Sequence, residues 1–264
     1  MKIDQVRLIW FSPTGTSRRV VRGIAEGFSG VPVEETNLTL PDFTTCGRLG
    51  PDELAIIGVP VYAGRVPALA VERMKEISGS NTPAVIVAVY GNREFEDALV
   101  ELRDLAQEKG FVVVAAAAFI GEHSFSTDAL PIAAGRPDSD DLEKAREFGR
   151  AVQQALTALE ENEGGTIDVP GNVPYKDGAG YFPFTPVVDH DTCTLCGTCA
   201  EECPTGSITL DDTVSIAVES CILCANCIKV CPEGAVSLET TPVREKMVAL
   251  NTNCAARKEP QIFM

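Results

Sequence analysis

The sequence predicts a doubly wound α/β domain with a five-stranded parallel sheet, followed by a small α+β domain built around cysteines. Three observations carry this. Through the first part of the chain, short apolar runs alternate with stretches of helical periodicity. The runs lack polar/apolar alternation, which marks strands covered on both faces and hence parallel pairing. Further on, eight of the ten cysteines repeat one spacing.

The elements follow in order. Residues 5–11 are an apolar strand, and a helix runs over 16–28 behind Ser and Thr residues suited to capping. Residues 33–36 form a weak strand. The run 54–62 is strongly apolar and β-rich, and 66–77 is helical. Residues 83–90 form another buried strand, 94–109 carry apolar residues at helical spacing, and 112–120 form the fifth strand. Ser139 opens an acidic first turn for a helix to about 160. Residues 162–184 are rich in Pro, Gly and aromatics. Tyr175, Tyr181, Phe182 and Phe184 suit an ordered strap better than a flexible tether. The expected divisions are 1–161, a linker over 162–184, a cysteine domain over 185–240, and a tail over 241–264 that packs back on the body. The tail has no clear period.

The 264 residues allow one mid-sized and one small domain, and 45% hydrophobic content supplies a core. The N-terminus does not read as a signal peptide, and the longest apolar run, 111–120, is too short for a membrane span. The expectation is a soluble, cytoplasmic protein with reduced thiols. Net charge is −16, and residues 185–240 hold nine acids against one base, Lys229. Such a surface disfavours nucleic acid and anionic membrane. It suits a redox protein partner with a basic docking face, though acids also serve plain solubility. Oligomeric state is not legible.

Cys193, Cys196, Cys199 and Cys203 precede Pro204; Cys221, Cys224, Cys227 and Cys231 precede Pro232. Both copies read C-x2-C-x2-C-x3-C-P. The segment 185–240 resembles bacterial-type ferredoxins with two [4Fe–4S] clusters. That resemblance implies interleaved ligation: Cys193, Cys196, Cys199 and Cys231 on one cluster, and Cys221, Cys224, Cys227 and Cys203 on the other. Disulfides would not require the repeated spacing, and zinc takes four ligands rather than eight in interleaved register. Cys46 and Cys254 are left as buried, inert thiols.

Ligands of doubly wound sheets bind at the carboxyl ends of the strands. Three loops lie there. The first carries Ser12, Thr14, Gly15, Thr16 and Ser17 at a helix N-terminus, with hydroxyls and N–H groups for an anion. It resembles the FMN phosphate loop of flavodoxins. The resemblance places the flavin ring between the other two loops. One carries Pro60, Tyr62, Ala63 and Gly64; the other carries Tyr90, Gly91, Asn92, Arg93 and Phe95. Tyr62, Tyr90 and Phe95 are stacking candidates. Trp10 ends the first strand and reads as packing.

Residues 121–137 form a long irregular stretch, often a functional feature. It holds His123, Phe125 and Arg136. His123 is a candidate flavin donor or titrating group, or a structural histidine. The order of these pieces resembles flavodoxin–ferredoxin fusion proteins. That implies an electron carrier between FMN, two [4Fe–4S] clusters and external partners. The alternative is a ferredoxin-fed, FMN-dependent reductase of a small substrate. A flavin-less, interaction-only N-terminal domain is a third reading.

Overall fold

The computed structural model describes residues 2–158, 167–178, 180 and 182–264. The 161/162 boundary and Tyr181 of the aromatic segment lie outside the described residues. Five parallel strands form the main sheet: β1 (Gln5–Trp10), β2 (Val33–Asn37), β3 (Glu53–Pro60), β4 (Thr82–Tyr90) and β5 (Phe111–Ile120). Their order is 2-1-3-4-5, the flavodoxin-like arrangement with its switch point between β1 and β3. All nine residues of β4 are buried, as a central strand covered on both faces requires. The edge strand β2 is charged outward: Glu34 and Glu35 pair with Arg7 and Arg22, which blunts the edge.

Successive strand residues feed two cores. Ile9, Phe11, Ile57 and Ile86 pack with α2 (Ala68–Met74) and α3 (Ala98–Glu108). Leu8, Trp10, Ile56 and Phe119 pack with α1 (Thr16–Ala25) and α4 (Ser139–Ala158). Trp10 is thus core. The helices are shorter than periodicity implies at 66–77 and 94–109. Pro67 holds φ −57, ψ 133, outside helical geometry, so α2 starts only at Ala68.

The cysteine domain is small. It contains α5 (Thr198–Glu201), a hairpin of β6 (Ile208–Leu210) and β7 (Val214–Ile216), and α6 (Asn226–Lys229). Val187–Val188 pairs antiparallel with Val236–Ser237 and closes it.

The chain then returns to the first domain. Helix α7 (Val243–Asn253) buries Val243, Met247 and Leu250, and the first two pack with Leu223, Phe125, Phe182 and Phe184. Strand β8 (Gln261–Phe263) joins the main sheet antiparallel to β5. Asn92 Nδ2 donates to the Cys254 and Ala256 carbonyls at 2.7 and 2.8 Å, and Arg257 pairs with Asp138 at 2.6 Å. The cysteine domain is therefore tethered at both its ends. Among the described residues no helix is long and apolar enough to cross a membrane.

Candidate functional site

The three loops converge at the carboxyl ends of β1, β3 and β4. Thr14, Thr16, Pro60, Tyr62, Ala63, Gly64, Tyr90, Gly91 and Arg93 line one cavity of about 390 Å³. Residues 62–65 form a tight two-residue turn. The Tyr62 and Arg65 backbones exchange hydrogen bonds at 3.0 and 3.1 Å, and Ala63 and Gly64 both hold positive φ. Gly91 is required by space: a Cβ there would stand 2.3 Å from the His123 ring.

Ser12, Gly15, Ser17, Asn92 and Phe95 do not line the cavity. Ser12 Oγ accepts the Arg18 N–H at 3.1 Å, and the Ser12 carbonyl accepts the Gly15 N–H at 3.1 Å. Both fix the loop. Ser17 is fully buried, and its Oγ has no partner among the described residues. An orphaned hydroxyl in the first turn of α1 is a group left for an anion, so the loop fits a phosphate. Phe95 is core, with its ring 5.5 Å from that of Tyr90.

Gly121 to Phe125 of the long irregular stretch, His123 among them, also line the cavity, whereas Arg136 does not, and the rest of the wall comes from places the sequence does not advertise. Ile222 and Leu223 reach it from inside the second cysteine motif, Lys246 and Leu250 from α7, and Phe182 and Lys176 from the connecting segment. The bulky apolar pair inside Cys221–Cys224 was the available signal, because a loop facing water would not favour it.

The cysteines gather in two quartets, each around a small void. Cys193, Cys196, Cys199 and Cys231 line one; Cys203, Cys221, Cys224 and Cys227 line the other. Leu195 and Gly197 in the first motif, and Leu223 and Ala225 at the matching places in the second, hold positive φ. Three of these are not glycine, at a cost of about 1–2 kcal/mol each. Such strain persists where a site over-determines the backbone. The Ala235 N–H donates to Cys231 Sγ at 3.2 Å. Among the described residues no three His, Cys, Asp or Glu side chains converge on a single metal ion. A void ringed by four thiols fits a cluster better than a zinc ion.

Residues 185–232 match the family model of a 4Fe-4S dicluster domain. A sheet of flavodoxin-like strand order is thus followed by a 4Fe-4S dicluster domain. No curated protein matches the chain. Among solved structures, a Streptococcus pneumonia TIGR4 flavodoxin is similar at 14% identity, over 56% of this chain and 99% of that one, with a TM-score of 0.38. A Fusobacterium nucleatum flavodoxin bound to flavin mononucleotide matches at 13% identity, over 57% and 98%, with a TM-score of 0.36. An NAD(P)H:quinone oxidoreductase from Methanothermobacter marburgensis matches at 12%, over 60% and 98%, with a TM-score of 0.31. At these scores the fold rests on strand order, not on the likeness. The dicluster match makes iron–sulfur electron transfer the class of chemistry.

Electrostatics distinguish the parts of the fusion. Burial, and then the charge of Cys224, push the phenol of cavity-lining Tyr62 well above its ordinary range. Burial lifts the Tyr90 phenol to about 12 and the Cys224 thiol to about 12. A thiol so buried becomes a thiolate only with metal beside it. Burial lowers His123 to about 4, so it is neutral near pH 7. Its Nδ1 accepts the Phe125 N–H at 3.0 Å, which assigns the ring proton to Nε2. Cys196 is exposed, whereas Cys199 and Cys224 are buried. Cys46 and Cys254 are half-buried rather than buried, and burial raises the Cys46 thiol.

Proposed function

We propose that the chain relays single electrons between two [4Fe–4S] clusters and FMN, exchanging them with an external protein at the exposed end. FMN accepts two electrons and each cluster one, so their union couples one-electron to two-electron chemistry. The observation that carries the reading is the position of Ile222 and Leu223. They lie between Cys221 and Cys224 and wall the cavity where the flavin loops converge.

The residues divide the work. Cys203, Cys221, Cys224 and Cys227 hold the inner cluster beside the cavity. Cys193, Cys196, Cys199 and Cys231 hold the outer one, with exposed Cys196 nearest a partner. Thr14, Thr16 and Ser17 hold the phosphate; Tyr62 and Tyr90 flank the ring. The exposed acids Asp189, Asp191, Glu201 and Glu202 suit a basic docking face. Reductive titration of the anaerobic, fully loaded chain tests this. Uptake should be about four electrons per chain, one per cluster and two for the flavin. Uptake of about two would remove either the flavin or the clusters from the relay.

A second reading, reduction of a small substrate at the flavin, has its own observation. Lys246 lines the cavity with no ion-pair partner among the described residues, and the Nε2–H of neutral His123 makes no hydrogen bond among them. Turnover of small oxidants that is lost in Lys246→Met, with cluster-to-flavin transfer intact, would favour it.

A further inference from the structure

Arg73 is a buried cation without an anion. It sits at the end of α2, 8% exposed, and makes no ion pair among the described residues. Its guanidinium donates to the Leu38 carbonyl at 2.7 Å, to the Thr39 carbonyl, and to the Pro204 carbonyl at 2.5 Å. It lies over Phe11 and Phe43, 5.9 and 5.7 Å from their ring centres. A guanidinium held only by carbonyls and rings is costly to bury, and a nearby negative group would offset that cost.

The Pro204 contact shows where that group lies. Pro204 follows Cys203 and walls the void of the second cysteine quartet. The rest of that wall is uncharged: Pro186, Thr205, Ser207, Ile208, Ile216 and Ala225, with Ile222. Thiolate-bound clusters carry net negative charge, and each reduction adds more. In a dry, apolar wall this opposes reduction, because charge and burial both set cluster potentials. The outer void differs, since its wall includes the exposed carboxylate Glu233, whose effect water screens.

Building on the cluster assignment above, we infer that Arg73 supplies the positive charge that keeps the buried inner cluster reducible. It is a positioning and potential-setting residue contributed by the flavodoxin domain to a cluster in the ferredoxin domain. The inner cluster therefore has its working potential only when the two domains are docked.

The test is an anaerobic redox titration of the holoprotein followed by EPR, with iron counted in every sample. The inner signal is the one lost in Cys224→Ala. In Arg73→Gln with its iron retained, the inner midpoint should fall by at least tenfold in the reduction equilibrium, 59 mV for one electron. The outer midpoint should stay. Arg73→Lys, which keeps the charge but not the carbonyl geometry, should hold the inner midpoint near wild type. An unchanged midpoint in Arg73→Gln, or an equal fall in Arg73→Lys, overturns the inference and leaves Arg73 a docking pin. If Arg73→Gln cannot retain iron, Phe43→Glu neutralises the guanidinium in place, and the same inner fall is expected. No shift there also overturns the inference. Wild-type chain that takes up fewer than about eight irons overturns the two-cluster reading itself, a failure visible before any midpoint is read.

Discussion

Lys229 donates to the Glu122 carboxylate at 2.7 Å, an ion pair that links the second cysteine motif to the cavity wall. Lys229 also donates to the Ser126 carbonyl at 2.7 Å, and Glu122 accepts the Gly135 N–H at 2.9 Å. Burial raises the Glu122 carboxyl, but the Lys229 and Gly135 hydrogen bonds outweigh it, and the net direction is down. A lowered folded value means the stabilisation is whole above the unfolded carboxylate range, near pH 4.3. It is lost as pH falls through the folded value. Glu122→Gln should therefore weaken domain docking by about 0.5–1 kcal/mol at pH 7, as a partly exposed pair allows. Protection of the 121–126 amides in hydrogen exchange reads it. A difference from wild type that persists in strong acid would contradict the pair.

Ligation should be interleaved. Cys203 lies with Cys221, Cys224 and Cys227 around the second void, away from the other cysteines of its own motif. Cys203→Ala should damage the inner cluster, and Cys231→Ala the outer. Iron analysis of wild type should give about eight irons per chain, and EPR of each variant shows which signal survives. Loss of the outer signal in Cys203→Ala would reverse the assignment.

Phosphate recognition should depend on hydroxyls rather than cations. Each hydroxyl bond to a dianion is charge-assisted and contributes about 1.5–3 kcal/mol. Thr14 and Thr16 line the cavity, so Thr14→Val or Thr16→Val should weaken FMN about tenfold or more and leave riboflavin nearly unaffected. Fluorescence titration of both ligands decides it, since equal losses would deny the phosphate contact.

Gly91 and His123 cannot both carry side chains at their present spacing. The ring of His123 is fixed by the Phe125 N–H, and the His123 backbone N–H donates to the Ile132 carbonyl at 3.1 Å. Gly91→Ala should overpack the cavity wall at about 1–3 kcal/mol, and FMN affinity should fall about fivefold or more. Adding His123→Ala removes the opposing ring and should restore part of the affinity. No recovery in the double variant would place the damage in the Gly91 backbone instead.

The strands and the eight cysteines were legible because both write themselves as local patterns: apolar runs such as 83–90, and a repeated thiol spacing. Helix α7 and strand β8 were not. Burial of Met247 is set by contacts with Leu223 and Phe125, partners remote in sequence, so no local period marks the helix. Asn92 illustrates the same limit at the site. Its place in the third loop suggested a ligand contact, yet it does not line the cavity and its amide N–H groups go to the Cys254 and Ala256 carbonyls, 162 and 164 residues away. The loops could be read as a site. That the site is closed by another domain depends on how the chain returns.

That return makes the last prediction. The inner quartet and the flavin cavity share Ile222, and Phe182 and Phe184 pack with Leu223 and α7 beneath the same wall. Upstream, Tyr175 donates to Asp104 at 2.5 Å and lies under Arg65, while Asp97 accepts the Asn172 and Lys176 N–H groups at 2.8 and 2.7 Å. Domains held by packing at this many points have restricted relative motion, and a fixed separation favours transfer within one molecule. Flash reduction of the clusters, followed at the flavin absorbance, should then give a rate independent of protein concentration. Replacing Phe182 and Phe184 with serine removes apolar contact from the shared wall and should slow that rate without altering iron or FMN content. The pair is preferable to Tyr175 because it packs with Leu223, inside the second cysteine motif. A rate that climbs in proportion to concentration would mean that electrons pass between molecules, and the closed wall at Ile222 would then have no part in transfer.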